Sequence, residues 1–229
     1  MTNKRIFQLI DFDRTLFDTA AFAAALAEEI NRREPGLGTA YIEALNAAYE
    51  REETFFLLRY LREQKGDEWF EALVNEVIAT HGIESFCLPG MNERLIFANS
   101  LSDMRPSWGI LTYGDAIDQY MKVRIVGLEG AAVYITDTPD KAALIRSWQT
   151  ADGTYVLPEA FGGVEVDELT LEDDKLRAFH SLPENVTGIW LTQDETEAAR
   201  TMAQQLGDVT PAQSLFDAIE ILKKKFRVK

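Results

Sequence analysis

The chain has 229 residues, 46% of them hydrophobic, which suits one large domain or a core domain with a smaller insert and excludes a disordered chain. A formal net charge of −15 and a sequence pI of about 4.6 disfavour nucleic-acid backbones and anionic lipid as partners, and would repel a phosphorylated substrate unless a cation sits in the site. The single cysteine, Cys87, excludes an internal disulfide framework or a cysteine metal cluster and points to a reducing cytoplasm.

The first element is the apolar run 6–10, which reads as a buried strand, apolar on both faces apart from Gln8. Gln8 and Asp11 interrupt it, so the N-terminus has no signal-peptide shape, and no stretch of the chain is long and apolar enough to span a bilayer. The strand ends in Asp11 and Asp13, two residues apart, with Thr15 following. In extended chain, residues i and i+2 point the same way, so the two carboxylates could converge on one point. Their repulsion needs a cation or a shared proton to relieve it, which suggests a metal site or an acid/base pair. Aspartates at a strand end also cap helices and make turns, so the pattern needs support from the rest of the chain.

About 65 residues of helix-only sequence follow. Residues 18–34 are Ala-rich and end at Pro35-Gly36; 39–65 carry Tyr41, Ile42, Leu45, Ala48, Tyr49, Phe55, Phe56, Leu58 and Leu61 at helical spacing; 67–81 repeat the theme with Trp69, Phe70, Leu73, Val77 and Ile78. This exceeds the dozen or so residues that one crossover needs and reads as an inserted helical module. The expected division is a core of 1–17 and 89–229 and a helical module of 18–88.

From Pro89-Gly90 onward, strands alternate with helices. Helix is expected at 91–102, strand at 108–111 ending in Thr112, and helix at 117–127. Strand follows at 132–135, then helix at 139–149 with Pro139 as its first residue, an irregular loop or hairpin at 150–166, and strand at 169–171 ending in Glu172-Asp173-Asp174. A strand at 186–191, a helix at 194–206, a short segment at Val209 and a helix at 211–225 complete the chain. The fold class is α/β, a Rossmann-like parallel sheet with helices on both faces plus the helical insert. The basic 223–227 run is a dipole-compensating helix end.

Asp11, Asp13 and Thr15, then Thr112, then Glu172-Asp173-Asp174 all fall at strand ends, and in a parallel sheet those ends share the edge where ligands bind. Lys141 sits in the first turn of a helix near the same edge. In this order the residues resemble the haloacid dehalogenase-like superfamily of phosphotransferases. Asp11-Phe12-Asp13-Arg14-Thr15 matches its D-x-D-x-T motif, Ile110-Leu111-Thr112 its strand ending in Thr or Ser, Lys141 its lysine, and Asp173-Asp174 its acidic pair, while the insert has the position of the type-one cap with Leu16 to Thr19 as its lead-in.

The resemblance implies a Mg²⁺-dependent phosphatase of small phosphorylated metabolites. Asp11 would be the nucleophile that forms an aspartyl phosphate, and Asp13 the acid and then the base. Thr112 and Lys141 would bind the phosphoryl group. Asp11, Asp173, Asp174 and the Asp13 carbonyl would hold the metal. A phosphomutase, a dehalogenase, or a non-catalytic binding protein of the same fold are the alternatives. Three points stay open. Arg14 stands where many relatives have Gly, and faces solvent, substrate or cap, with solvent favoured. Lys122 rivals Lys141. Either 172–173 or 173–174 is the matched acidic pair, with Asp173 common to both. Substrate specificity would come from the module, with Arg51, Arg59, Tyr60 and Arg62 as candidates against a plain solvated face.

Overall fold

The structure is a computed structural model and describes residues 4–51, 57–101, 103, 105–193 and 196–227. Strand β1 (Ile6–Ile10) is buried along its whole length. Four helices follow: α1 (Thr19–Arg33), α2 (Leu37–Glu50), α3 (Leu57–Lys65) and α4 (Asp67–His81). Then come α5 (Met91–Leu101), β2 (Trp108–Tyr113), α6 (Ala116–Ile125), β3 (Val133–Thr136) and α7 (Lys141–Ser147). An antiparallel hairpin of β4 (Tyr155–Val156) and β5 (Glu165–Val166) precedes β6 (Glu168–Asp173). The chain closes with β7 (Val186–Leu191), α8 (Glu197–Gln205), β8 (Val209–Ala212) and α9 (Leu215–Phe226).

Six of the strands form one parallel sheet in the order β3-β2-β1-β6-β7-β8. The strand order reverses direction around β1, which has β2 on one side and β6 on the other. In such sheets the crevice outside the strand ends at this point is where ligands bind. Successive side chains alternate between the faces. Phe7, Leu9, Leu111, Leu169 and Leu171 enter a core with Ile145 of α7 and Ala199 and Ala203 of α8. Phe97 of α5 and Ala218, Ile219 and Leu222 of α9 pack with Ile189 in a second core. The 150–166 stretch is the hairpin, and it closes over β2 through Phe161. A Cβ at Gly109 would come within 2.5 Å of that ring, so only glycine admits the contact.

Several helix starts differ from the sequence expectation, each because a side-chain cap fixes the first turn. Helix α7 begins at Lys141 rather than Pro139, since the Asp140 carboxylate accepts from the Ala143 N–H at 2.9 Å. Helix α9 begins at Leu215, because Pro211 and Ala212 complete β8 and Ser214 caps the helix. Helix α8 is capped by Thr196; residues 194 and 195 of the expected helix lie outside the described residues. The expected helix 39–65 is two helices, and Phe55 and Phe56 also lie outside the described residues.

The chain forms two compact units. The first comprises Met1–Leu16, Leu88–Tyr113 and Ala131–Lys229, and holds the sheet. The second comprises Phe17–Cys87 together with Gly114–Gly130. In the second, Asp18 caps α1 by accepting from the Ala21 N–H, and the Phe22 ring packs in T-shaped contacts with Phe17 and Phe86. Glu29 of α1 and Glu76 of α4 share Arg32 and Arg33. Helix α6 joins this unit through the Arg59–Asp115 and Arg124–Glu71 ion pairs; the expected 18–88 module did not include it. Among the described residues, no helix is long and apolar enough to cross a membrane.

Candidate active site

Asp11 leaves β1 with its N–H donated to the Glu172 carbonyl of β6 at 2.9 Å. A tight turn follows, in which Phe12 O accepts from the N–H groups of Thr15 and Leu16. The turn folds the chain back so that Thr15 Oγ1 donates to Asp11 Oδ2 at 3.2 Å. It also forces Arg14 into the left-handed region, with φ of 64°. That is the backbone reason a glycine suits this position.

Because β6 pairs with β1 in register, with Glu172 beside Ile10, Asp173 comes alongside Asp11 at the sheet edge. Lys141, the first residue of α7, joins them. Its Nζ donates to Asp11 Oδ1 at 2.5 Å and to Asp173 Oδ2 at 2.6 Å. All three side chains are buried. The backbone N–H of Lys175 donates to Asp173 Oδ1 at 2.7 Å. Asp174 completes the group. Its Oδ2 lies 3.1 Å from Lys175 Nζ and 3.3 Å from Arg14 Nε. One carboxylate oxygen from each of Asp11, Asp173 and Asp174 lies within 4.8 Å of the others.

Crowding buried carboxylates this way has an electrostatic cost. Burial pushes Asp11 up to about 7, with the Asp173 and Asp13 charges adding to the rise and Lys141 opposing it. Burial likewise raises Asp173 against the pull of Lys141, and raises Asp174 with help from the Asp11 charge, against Lys175 and Arg14. For Lys141 burial works downward, but Asp11 and Asp173 outweigh it and hold the ammonium above the usual lysine range. Three carboxylates that a lysine only partly neutralises form a hard, all-oxygen donor set. This fits Mg²⁺, which takes a few carboxylates and keeps water or substrate oxygens for the rest of its shell.

Of the two lysines, Lys141 reaches the carboxylates of Asp11 and Asp173, and Lys122 lies on α6 with its Nζ 6.0 Å from the Phe17 ring. Asp173 and Asp174 are grouped with Asp11, whereas the Glu172 side chain turns to the opposite face of the sheet and is bound by Arg94. Arg14 is 57% exposed, yet its guanidinium borders the cluster through Asp174. Thr112 is buried at the end of β2, two residues beyond Ile110, which pairs with Ile10. Asp13 is half-buried just past Asp11. Of the candidates on the helical unit, Arg59 pairs with Asp115 and Arg62 with Asp67.

Two residues next to the cluster are not among the sequence candidates, Arg94, which binds Glu172, and Lys175, which binds Asp173 and Asp174. For Arg94 a signal was present: it shares a helical stripe with Met91, Leu95 and Ala98, all buried. Lys175 contributes its backbone N–H to Asp173 as well as its ammonium to Asp174, and backbone contacts are not visible in side-chain patterns.

No family model matches the chain, and no curated protein matches it. Among solved structures it is similar to a protein described as a haloacid dehalogenase-like hydrolase from Burkholderia xenovorans LB400, with a TM-score of 0.61 and 20% identity over 95% of this chain and 98% of that one. It is also similar to the HAD-hydrolase YfnB of Bacillus subtilis, solved with magnesium bound, with a TM-score of 0.55 and 16% identity over 96% of this chain and 99% of that one. A hydrolase from Pseudomonas syringae follows, with a TM-score of 0.50 and 17% identity over 96% of this chain and 98% of that one. The shared feature at these identities is the fold, which is the haloacid dehalogenase-like one.

Proposed function

We propose that the chain is a Mg²⁺-dependent phosphatase that hydrolyses the phosphomonoester of a small metabolite, working in the cytoplasm, the reducing compartment that the free Cys87 suits. The observation that carries this reading is the convergence of Asp11, Asp173 and Asp174 on one point with Lys141 bridging the first two. The small-metabolite part rests on the helical insert, whose chain connections leave the sheet unit after Leu16, one residue past Thr15, and return at Leu88.

Bound Mg²⁺, held by the carboxylates of Asp11, Asp173 and Asp174 and the Asp13 carbonyl, would neutralise charge on the phosphoryl oxygens. An Asp11 carboxylate oxygen attacks phosphorus, the phosphorus–oxygen ester bond breaks, and Asp13 gives its proton to the leaving oxygen. A water then attacks the phosphorus of the aspartyl phosphate and passes a proton to Asp13. The acyl-phosphate bond breaks, inorganic phosphate leaves and the Asp11 carboxylate is restored. Lys141 and Thr15 orient Asp11 through its two oxygens, and Lys141 favours its ionised form. The Thr112 hydroxyl would donate to the transferring phosphoryl group.

The test is hydrolysis of an aryl phosphate with and without Mg²⁺, followed by a panel of phosphorylated metabolites. Asp11→Asn should abolish turnover, and Asp13→Asn should lower it by about 10²- to 10⁴-fold, the usual range for an acid/base group. Full activity in Asp11→Asn, or the absence of Mg²⁺-dependent turnover across the panel, would sink the reading. Release of halide from a haloacid would favour dehalogenation instead.

A further inference from the structure

On the face of the sheet opposite Lys141 lies a polar cluster that takes no part in the chemistry above. Arg94 of α5 and Glu172 of β6 are both 0% exposed and form a two-pronged ion pair. Arg94 Nε lies 2.9 Å from Glu172 Oε2 and 3.1 Å from Oε1, and Nη2 also donates to Oε1. The same Nη2 donates to Gln8 Oε1 of β1 at 2.9 Å. Gln8 in turn donates from Nε2 to the Ala98 carbonyl of α5 at 2.9 Å. One guanidinium therefore spans the seam between β1 and β6, directly below the strand ends that carry Asp11 and Asp173.

Such a cluster is a poor source of stability. A buried ion pair seldom repays its desolvation, and apolar residues of like volume often serve as well or better. This one also leaves Arg94 Nη1 buried without a protein partner, and Thr170 Oγ1, two residues before Glu172 on the same face, is in the same condition. Its value lies in register. A one-residue slip in a strand exchanges its faces. Residues 172 to 174 are all acidic, so charge alone does not tell β6 which acid should face Lys141. The fork of Arg94, fixed to Gln8, fits a carboxylate at 172 and so commits Asp173 to the other face.

We propose that the Arg94–Glu172–Gln8 cluster is a register clamp whose function is to position Asp11 and Asp173 for the metal. The proposal rests on the metal site of the phosphatase reading, and its residues are positioning residues that touch neither metal nor substrate. The Glu172 carbonyl that accepts the Asp11 N–H links the clamp to the nucleophile directly. Residues that orient metal ligands typically cost 10- to 100-fold in affinity when removed.

The test is the Arg94→Met/Glu172→Leu double variant, titrated calorimetrically with MgCl₂ beside wild type, with melting temperatures in EDTA. The single Arg94→Met variant strands a buried carboxylate, so the double variant is the decisive one. The expected result is a folded protein melting at or above wild type in EDTA, with Mg²⁺ affinity reduced at least 10-fold. A folded double variant with wild-type Mg²⁺ affinity overturns the clamp and leaves the phosphatase reading intact. A double variant that melts well below wild type overturns it too, because the cluster would then serve stability. Wild type that binds no Mg²⁺ removes the metal reading and the clamp with it, a result told apart by the wild-type titration alone.

Discussion

Lys141 Nζ sits 2.5 Å from Asp11 Oδ1, and the contact is buried. The same ammonium serves Asp173, so one cation offsets two interior carboxylates. Replacing Lys141 by Met removes that offset. Loss of one partner of a buried pair costs about 3–5 kcal/mol when the remaining charge stays ionised. The carboxylates can instead take up protons, so the penalty should be small near pH 5 and grow toward pH 8. Thermal unfolding of Lys141→Met and wild type in EDTA across that range measures it, and a pH-independent difference would contradict the arrangement.

The wild-type protein should show a related pH dependence without metal. Asp11, Asp173 and Asp174 all have folded pKa values raised above their unfolded ones, Asp11 to about 7. Between roughly pH 4 and 7 the folded state therefore holds more protons than the unfolded chain, and stability falls as pH rises. The contribution is fully present below the unfolded carboxylate range and lost as pH passes through the folded values. Mg²⁺ binds the ionised carboxylates, so it should raise the melting temperature more at pH 8 than at pH 5. Equal Mg²⁺ shifts at both pH values would count against the site.

Arg14 combines a left-handed backbone with a half-exposed ion pair to Asp174. A non-glycine residue in that region costs about 1–2 kcal/mol, whereas an exposed pair returns about 0–1 kcal/mol. Arg14→Gly should therefore melt at or slightly above wild type in EDTA. A clear drop in melting temperature would mean that the Asp174 contact outweighs the backbone cost.

Much of this arrangement was legible in the sequence, for identifiable reasons. The apolar run 6–10, the Asp11-Phe12-Asp13-Arg14-Thr15 stretch and the alternation of strands and helices after Pro89 are local patterns, and the sheet follows from them. Lys141 and Asp173 were legible because strand ends in a parallel sheet share an edge. The choice between Glu172 and Asp174 was not, since it depends on Arg94, a residue 78 positions away. A charged residue on a buried stripe reads as an irregularity until its partner is known. The grouping of α6 with the helical unit was equally out of reach, because it depends on pairs such as Arg59–Asp115 that only the folded chain brings together. Helix starts shifted wherever Asp140, Thr196 or Ser214 provided a cap that a hydrophobic pattern does not weigh.

The proposed mechanism turns on covalent phosphorylation of Asp11. Acyl phosphates are reduced by borohydride, so quenching the protein with borohydride during turnover of an aryl phosphate in Mg²⁺ should convert the modified aspartate to homoserine. Peptide mass spectrometry is expected to find homoserine at position 11 alone, absent without substrate and absent in Asp11→Asn. Phosphate release with Asp11 unmodified, or homoserine at a different aspartate, would contradict the proposed mechanism.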